Sequence, residues 1–219
     1  MKKNEDLQKE VQDAIKWEPL LNAAEIGVTV SDGVVTLSGV VDSYSKKLEA
    51  EDAVKKVKGV KAVVEKIDVQ FGTPFVKTDG EIAHEIVNSL RWNWEVPNDK
   101  VNVKVENGWV TLDGEVYWNY QRESAKKAIS KLLGVKGVSS NITIKSETND
   151  LIEKSEIERA LARNWAIDEK EIMVKVAGNR VTLYGTVSSW YQKDEASRIA
   201  WNASGVWYVD NELIVDYNE

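Results

Sequence analysis

Apolar residues along this chain fall into three kinds of spacing that recur in a fixed order. Steps of four put Leu7, Val11 and Ile15, then Ile82, Ile86 and Leu90, then Ile157 and Leu161 on one stripe of a helix. Strict alternation comes next, at Ile26, Val28 and Val30, at Val101, Val103 and Val105, and at Ile172, Val174 and Val176, which predicts half-buried strands. Each strand runs into a turn signal: Ser31-Asp32-Gly33, Glu106-Asn107-Gly108 or Ala177-Gly178-Asn179. A second alternating run then reads Val-Thr-Leu, so the two strands form an antiparallel hairpin. Val35, Leu37, Val110, Leu112, Val181 and Leu183 are expected to face inward, and Thr36, Thr111 and Thr182 outward.

The second run always closes as Val-Thr-Leu-x-Gly, on Gly39, Gly114 and Gly185, which lie 75 and then 71 residues apart. The chain is therefore three copies of one unit. After each glycine a second helix is predicted, with Ala50, Ala53, Val54 and Val57, Ala125, Ala128, Ile129 and Leu132, or Ala196, Ile199, Ala200 and Ala203 facing inward. Gly59, Gly134 and Gly205 are expected as its left-handed C-caps. A last strand follows, over 63–69, 138–144 and 209–215. Asp79 and Asp150 are expected to cap or open the first helix of their copies.

The fold expected is α+β: three tandem α-β-β-α-β domains, over residues 1–72, 77–147 and 150–219. Each is a small three-stranded mixed sheet with two helices on one face, the helical link between its last two strands making a parallel crossover. Domains this small sit near the lower limit for a self-sufficient core, so contact between copies is expected, across short linkers near Gly72-Thr73-Pro74 and Ser146-Glu147-Thr148-Asn149.

Composition removes several function classes. The chain has no cysteine and one histidine, His84, at a position filled by Lys9 and Ser155 in the other copies, so no transition-metal site or thiol chemistry is expected. The net charge of −7 divides as −2, 0 and −5 over residues 1–76, 77–147 and 148–219, which disfavours nucleic acid as a partner. No window is long and apolar enough to span a bilayer. The first residues, Met1 to Leu7, carry no apolar signal region, so a cytoplasmic location is expected.

The unit resembles the BON domain (bacterial osmotically inducible and nodulation). The resemblance rests on Gly33-Val34-Val35-Thr36-Leu37-Ser38-Gly39 with Gly59-Val60, on Gly108 to Gly114 with Gly134-Val135, and more loosely on Gly178 to Gly185 with Gly205-Val206. It implies a non-enzymatic bacterial module, transport-associated, that engages phospholipid surfaces or envelope partners in osmotic or envelope stress. Three copies and the absence of a signal peptide depart from the commonest members.

Candidate binding residues follow from the glycine turns. Gly39, Gly114 and Gly185 are expected to adopt positive φ, and the same bare backbone would let a headgroup approach the second helix's N-terminus. Beside them stand Tyr44, Trp118 with Tyr120, and Trp190 with Tyr191. Lys46, Lys47, Lys55 and Lys56 lie on or just after the second helix of copy one. A solvated face shared with Glu49, Glu51 and Asp52 is their ordinary reading, and contact with anionic lipid the alternative.

Trp17, Trp92, Trp94 and Trp165 end the first helices, Trp109, Trp118 and Trp190 lie around the glycine loop or hairpin, and Trp201 and Trp207 are peculiar to the third copy; Trp suits both a bilayer interface and a seam between domains, and the seam is expected. Gly134-Val135-Lys136-Gly137 looks like the GxxG loop of an RNA-binding KH domain, but it lies between a helix and a strand and the other copies lack it. No carboxylate pair, Ser/His/Asp set or phosphate loop recurs at one offset, so neither an enzyme nor a cofactor is expected. The leading expectation is a binding protein for an anionic phospholipid surface or a membrane-associated protein. The alternative is an adaptor joining proteins through tandem domains, without lipid affinity. Self-association stays open.

Overall fold

A computed structural model of the chain describes residues 3–72, 77–97, 99–145, 151–165, 167 and 171–216. The first repeat runs α1 (Asn4–Trp17), β1 (Ile26–Ser31), β2 (Val34–Val41), α2 (Tyr44–Lys55) and β3 (Ala62–Val69). The second has α3 (Asp79–Trp92), β4 (Val101–Glu106), β5 (Trp109–Val116), α4 (Asn119–Ser130) and β6 (Gly137–Ile144). The third has α5 (Lys154–Ala162), β7 (Ile172–Ala177), β8 (Arg180–Val187), α6 (Trp190–Trp201) and β9 (Tyr208–Val215). Each repeat forms its own three-stranded sheet, with the hairpin's second strand in the middle. The hairpins are antiparallel, and β5–β6 and β8–β9 pair in parallel. This is the expected α+β arrangement.

Side-chain alternation decides the faces. Val35, Leu37, Val110, Leu112, Val181 and Leu183 are all buried, and the threonines between them are not. The helical stripes Leu7–Val11–Ile15, Ile82–Ile86–Leu90 and Ile157–Leu161 close over that face, where the alanines of the second helix let it come near. The chain divides into two compact units, one of Met1–Gly39, Glu49–Lys66 and Thr148–Glu219, the other of Val40–Leu48 and Ile67–Glu147. Within the first unit an ion pair joins two repeats, Lys55 Nζ lying 3.7 Å from Asp194.

One expectation about helix ends needs correction. The second helices stop at Lys55, Ser130 and Trp201, four residues before Gly59, Gly134 and Gly205. A tight turn intervenes, closed by Val57 N–H to Val54 O in copy one and by Leu132 N–H to Ile129 O in copy two, and the glycines reverse the chain into the last strand. Asp79 opens α3, but the cap is Thr78, in a reciprocal capping box with Glu81. The Asp79 carboxylate instead accepts the Asn107 and Gly108 amides of the hairpin turn, at 2.7 and 2.9 Å. Asn4, at the same offset in copy one, accepts from Asp32 N at 3.0 Å. Asp150 and most of both linkers lie outside the described residues.

Candidate functional site

The central glycines sit inside the middle strand rather than beyond it. Gly39, Gly114 and Gly185 pair with the first residue of the preceding strand, Ile26, Val101 and Ile172, at φ of 136°, 150° and 127°. A Cβ built there would lie 2.0, 2.0 and 1.9 Å from the carbonyl oxygens of Glu25, Lys100 and Glu171. The chain's own backbone therefore fills the space a side chain would need. In copy two Glu115 N donates to Lys100 O at 3.3 Å, drawing the loop that follows α3 down onto the strand.

Side chains of the second helix reach back to the residues that lead into it in copies two and three. Gln121 Oε1 accepts from Tyr117 N at 2.9 Å and Trp118 N at 3.0 Å; Gln192 Oε1, at the matching offset, accepts from Ser188 N at 2.7 Å. Ser189 Oγ accepts from Gln192 N, completing the cap in copy three. Tyr44, Trp118 and Trp190 are half-buried, and Trp190 packs on the core of its own repeat. Tyr120 and Tyr191 are the exposed members, at 48% and 38%.

The copy-one lysines are also engaged. Lys46 pairs with Asp42 at 2.8 Å, which holds the Asp42 carboxyl below its ordinary pKa. Lys47 Nζ donates to Ile67 O at 2.8 Å, as Lys193 does to Leu213 O in copy three, so a cation eight residues past the glycine ties the helix to the last strand. Lys55 pairs with Glu51 at 3.0 Å; burial opposes its charge, but Glu51, Asp194 and Asp52 outweigh that and raise its pKa. Lys56 meets Glu18 at 3.2 Å. These four cations serve internal contacts rather than a cationic patch.

Burial, and then the neighbouring Glu18 carboxylate, raise the Glu49 pKa above 4.5, with Lys56 opposing. A raised carboxyl pKa costs stability wherever the group is ionised in the folded state, and the cost vanishes below the ordinary value. Glu49→Gln is therefore expected to stabilise the protein at neutral pH by about 0.3 kcal/mol after solvent screening. The gain should fade as pH falls through the raised value towards 4.5. Urea midpoints across that range measure it, and a variant less stable than the parent at neutral pH would contradict the assignment.

The exposed tryptophans are what the sequence reading misplaced. Trp17, Trp92, Trp94 and Trp165 are 88%, 86%, 89% and 95% exposed, so they form no seam. Trp17 and Trp92 end their helices two residues past the last core position, Ile15 or Leu90, and two residues turn the side chain about 200° away from the buried stripe. That phase was available in the sequence. Trp94 and Trp165 stand in the turns just beyond. Leu20, 62% exposed, follows Trp17. Every repeat thus presents at least one bare indole at the end of its first helix, on the loop that then closes onto the central glycine. Trp109, by contrast, lies across Gly137, and Trp201 packs against the core of copy three.

Among the described residues no group of three or more His, Asp or Glu is placed to hold a metal, and no helix is long and apolar enough to cross a membrane. The family model for the BON domain matches the chain three times, over residues 3–70, 78–146 and 149–217. The chain belongs to the BON domain family. It is similar to osmotically-inducible protein Y of Escherichia coli (strain K12), with 30% identity over 129 residues, covering 57% of this chain and 64% of that protein's length. Two solved structures of CdsD, a structural protein of the type III secretion system of Chlamydia trachomatis, align over 96% of this chain and 92% or 98% of theirs, both at 16% identity. Their TM-scores of 0.24 and 0.25 are too low to support any argument from them.

Proposed function

We propose that this BON protein is a non-enzymatic binding protein of the osmotic or envelope stress response that meets a phospholipid surface through the tryptophans at its first-helix ends. The observation that carries this is the near-complete exposure of Trp17, Trp92, Trp94 and Trp165. An indole in water is costly, and its amphipathic ring is suited to the headgroup level of a bilayer. Family membership and the likeness to an osmotically inducible protein support the setting. The net charge of −7 and the internal pairing of Lys46, Lys47, Lys55 and Lys56 favour aromatic contact over electrostatic attraction. Binding then occurs peripherally, by shallow insertion, and depends weakly on salt.

Tryptophan emission during titration with zwitterionic and then anionic vesicles tests this, alongside co-sedimentation. A blue shift that survives high salt is the expected result. A shift restricted to anionic vesicles and abolished by salt would move the contact to the lysines. No shift and no co-sedimentation would leave the exposed indoles as anchors for a protein partner, the adaptor reading.

A further inference from the structure

The third repeat differs from the other two along the groove between its helices α5 and α6. An open cavity of about 410 Å³ lies there, within the size range of small-ligand sites. Counted from the central glycine, Ala203 occupies the position of Val57 and Leu132, so a shortened side chain leaves the groove unfilled. By the same count Arg163 replaces Trp17 and Trp92, and Arg159 replaces Asp13 and Asn88. In the most acidic of the three repeats, two guanidinium groups have therefore been placed on the rim of this groove.

Arg159 and Arg163 stand one helical turn apart, a spacing that puts both on one face. Arg159 Nε donates to Ser155 O at 3.1 Å, which orients that guanidinium while leaving its terminal nitrogens for another acceptor. Among the described residues neither arginine has a carboxylate partner, although Glu156 shares the rim. Ile199 and Ala203, both partly exposed, supply an apolar wall above the buried Ile157, and the Asn202 amide closes the far side.

We propose that this groove binds a small amphiphilic anion: a phosphate or carboxylate held by the paired guanidinium groups, carried on a short apolar body that lies against Ile199 and Ala203. Planar guanidinium donors match the oxygens of such a headgroup two at a time, and the apolar wall adds affinity that a bare ion cannot use. Trp165 of the tryptophan contact follows Arg163 by two residues, but the groove takes its ligand whether or not the tryptophans meet a bilayer.

The test uses the full chain, labelled with nitrogen-15, and three probes: inorganic phosphate, hexyl phosphate and hexanol. Hexyl phosphate is expected to shift the amides of residues 156–163 and 199–204 saturably, at about tenfold lower concentration than inorganic phosphate, while hexanol leaves them in place. The double variant R159A/R163A should abolish the response, and Ala203→Leu, which restores the leucine of repeat two, should weaken it by about tenfold. Competition by phosphatidate vesicles identifies the source: displacement of hexyl phosphate marks a lipid headgroup, and its absence a soluble monoester, either one occupying the site. The proposal is overturned if the shifts do not saturate, if hexanol reproduces them, or if the folded double variant responds like the parent.

Discussion

Replacing Trp17, Trp92, Trp94 and Trp165 together by alanine is expected to leave the fold intact and to lower vesicle partitioning by about a hundredfold or more. Both halves follow from exposure. Indoles 86–95% open to water contribute little to any core, so their loss should change stability by no more than about 0.5 kcal/mol. At a bilayer each would withdraw roughly 60 Å² from water, worth about 1.5 kcal/mol at the usual 25 cal/mol per Å². Two engaged at once then supply about 3 kcal/mol, or slightly more than a hundredfold in partitioning. Co-sedimentation gives the partitioning, and thermal unfolding followed by circular dichroism gives the stability. Undiminished binding by the folded quadruple variant would remove the tryptophans from the proposed function. The exposed tyrosines Tyr120 and Tyr191 would then be the next aromatics to test.

Gly114→Val is expected to unfold the second repeat. The position combines two penalties. Its φ of 150° is one that a β-branched residue rarely adopts, and the new Cβ would stand 2.0 Å from Lys100 O, a backbone atom held in place by the Glu115 amide. Relieving the clash means pulling the α3–β4 loop off the strand and breaking the Val101–Gly114 pairing at the hairpin's base. The cost is about 3 kcal/mol or more, a large share of what a domain this size possesses. Gly80→Ala serves as the control, since nothing lies within 4 Å of its added Cβ, and stability should hold or rise slightly. Urea unfolding of both variants decides. A Gly114→Val protein as stable as the parent would show that the loop yields, and would reopen the glycine as a place where a ligand approaches the backbone.

Much of the fold was legible because the signals it depends on are local. Alternation at Val101–Val105, the Asn107-Gly108 turn and the four-residue steps of Ile82, Ile86 and Leu90 each name an element without reference to the rest. The Asn107-Gly108 pair even takes positive φ at both positions, 54° and 81°, as a tight hairpin turn asks. What was illegible depends on partners far along the chain. Lys47 read as a surface cation because nothing near it shows that Ile67 will bring a carbonyl to its ammonium group. Asp79 reads as a cap or first-turn residue, which it is, but nothing near it shows that its carboxylate also accepts amides 28 and 29 residues away, a task set by how the hairpin folds back.

The tryptophans are a different case. Nine of them in three small domains argue, by composition alone, for burial in a seam. Helical phase at Trp17 and Trp92 pointed outward all along, and it should have outweighed the general affinity of indole for interiors. For Trp94 and Trp165, standing in turns after the helices have ended, no periodic signal applied.

The Asp79 clamp has a consequence for cleavage and exchange. A hairpin turn at the surface, built on an Asn-Gly pair, is ordinarily the place where a protease enters and where amide protons are lost first. Here both turn amides are bound by a carboxylate fixed at the start of a helix, so opening the turn requires that helix end to fray as well. Limited digestion should pass over residues 107–108 in the native protein, and their deuterium uptake should track the unwinding of α3 rather than the looseness of a loop.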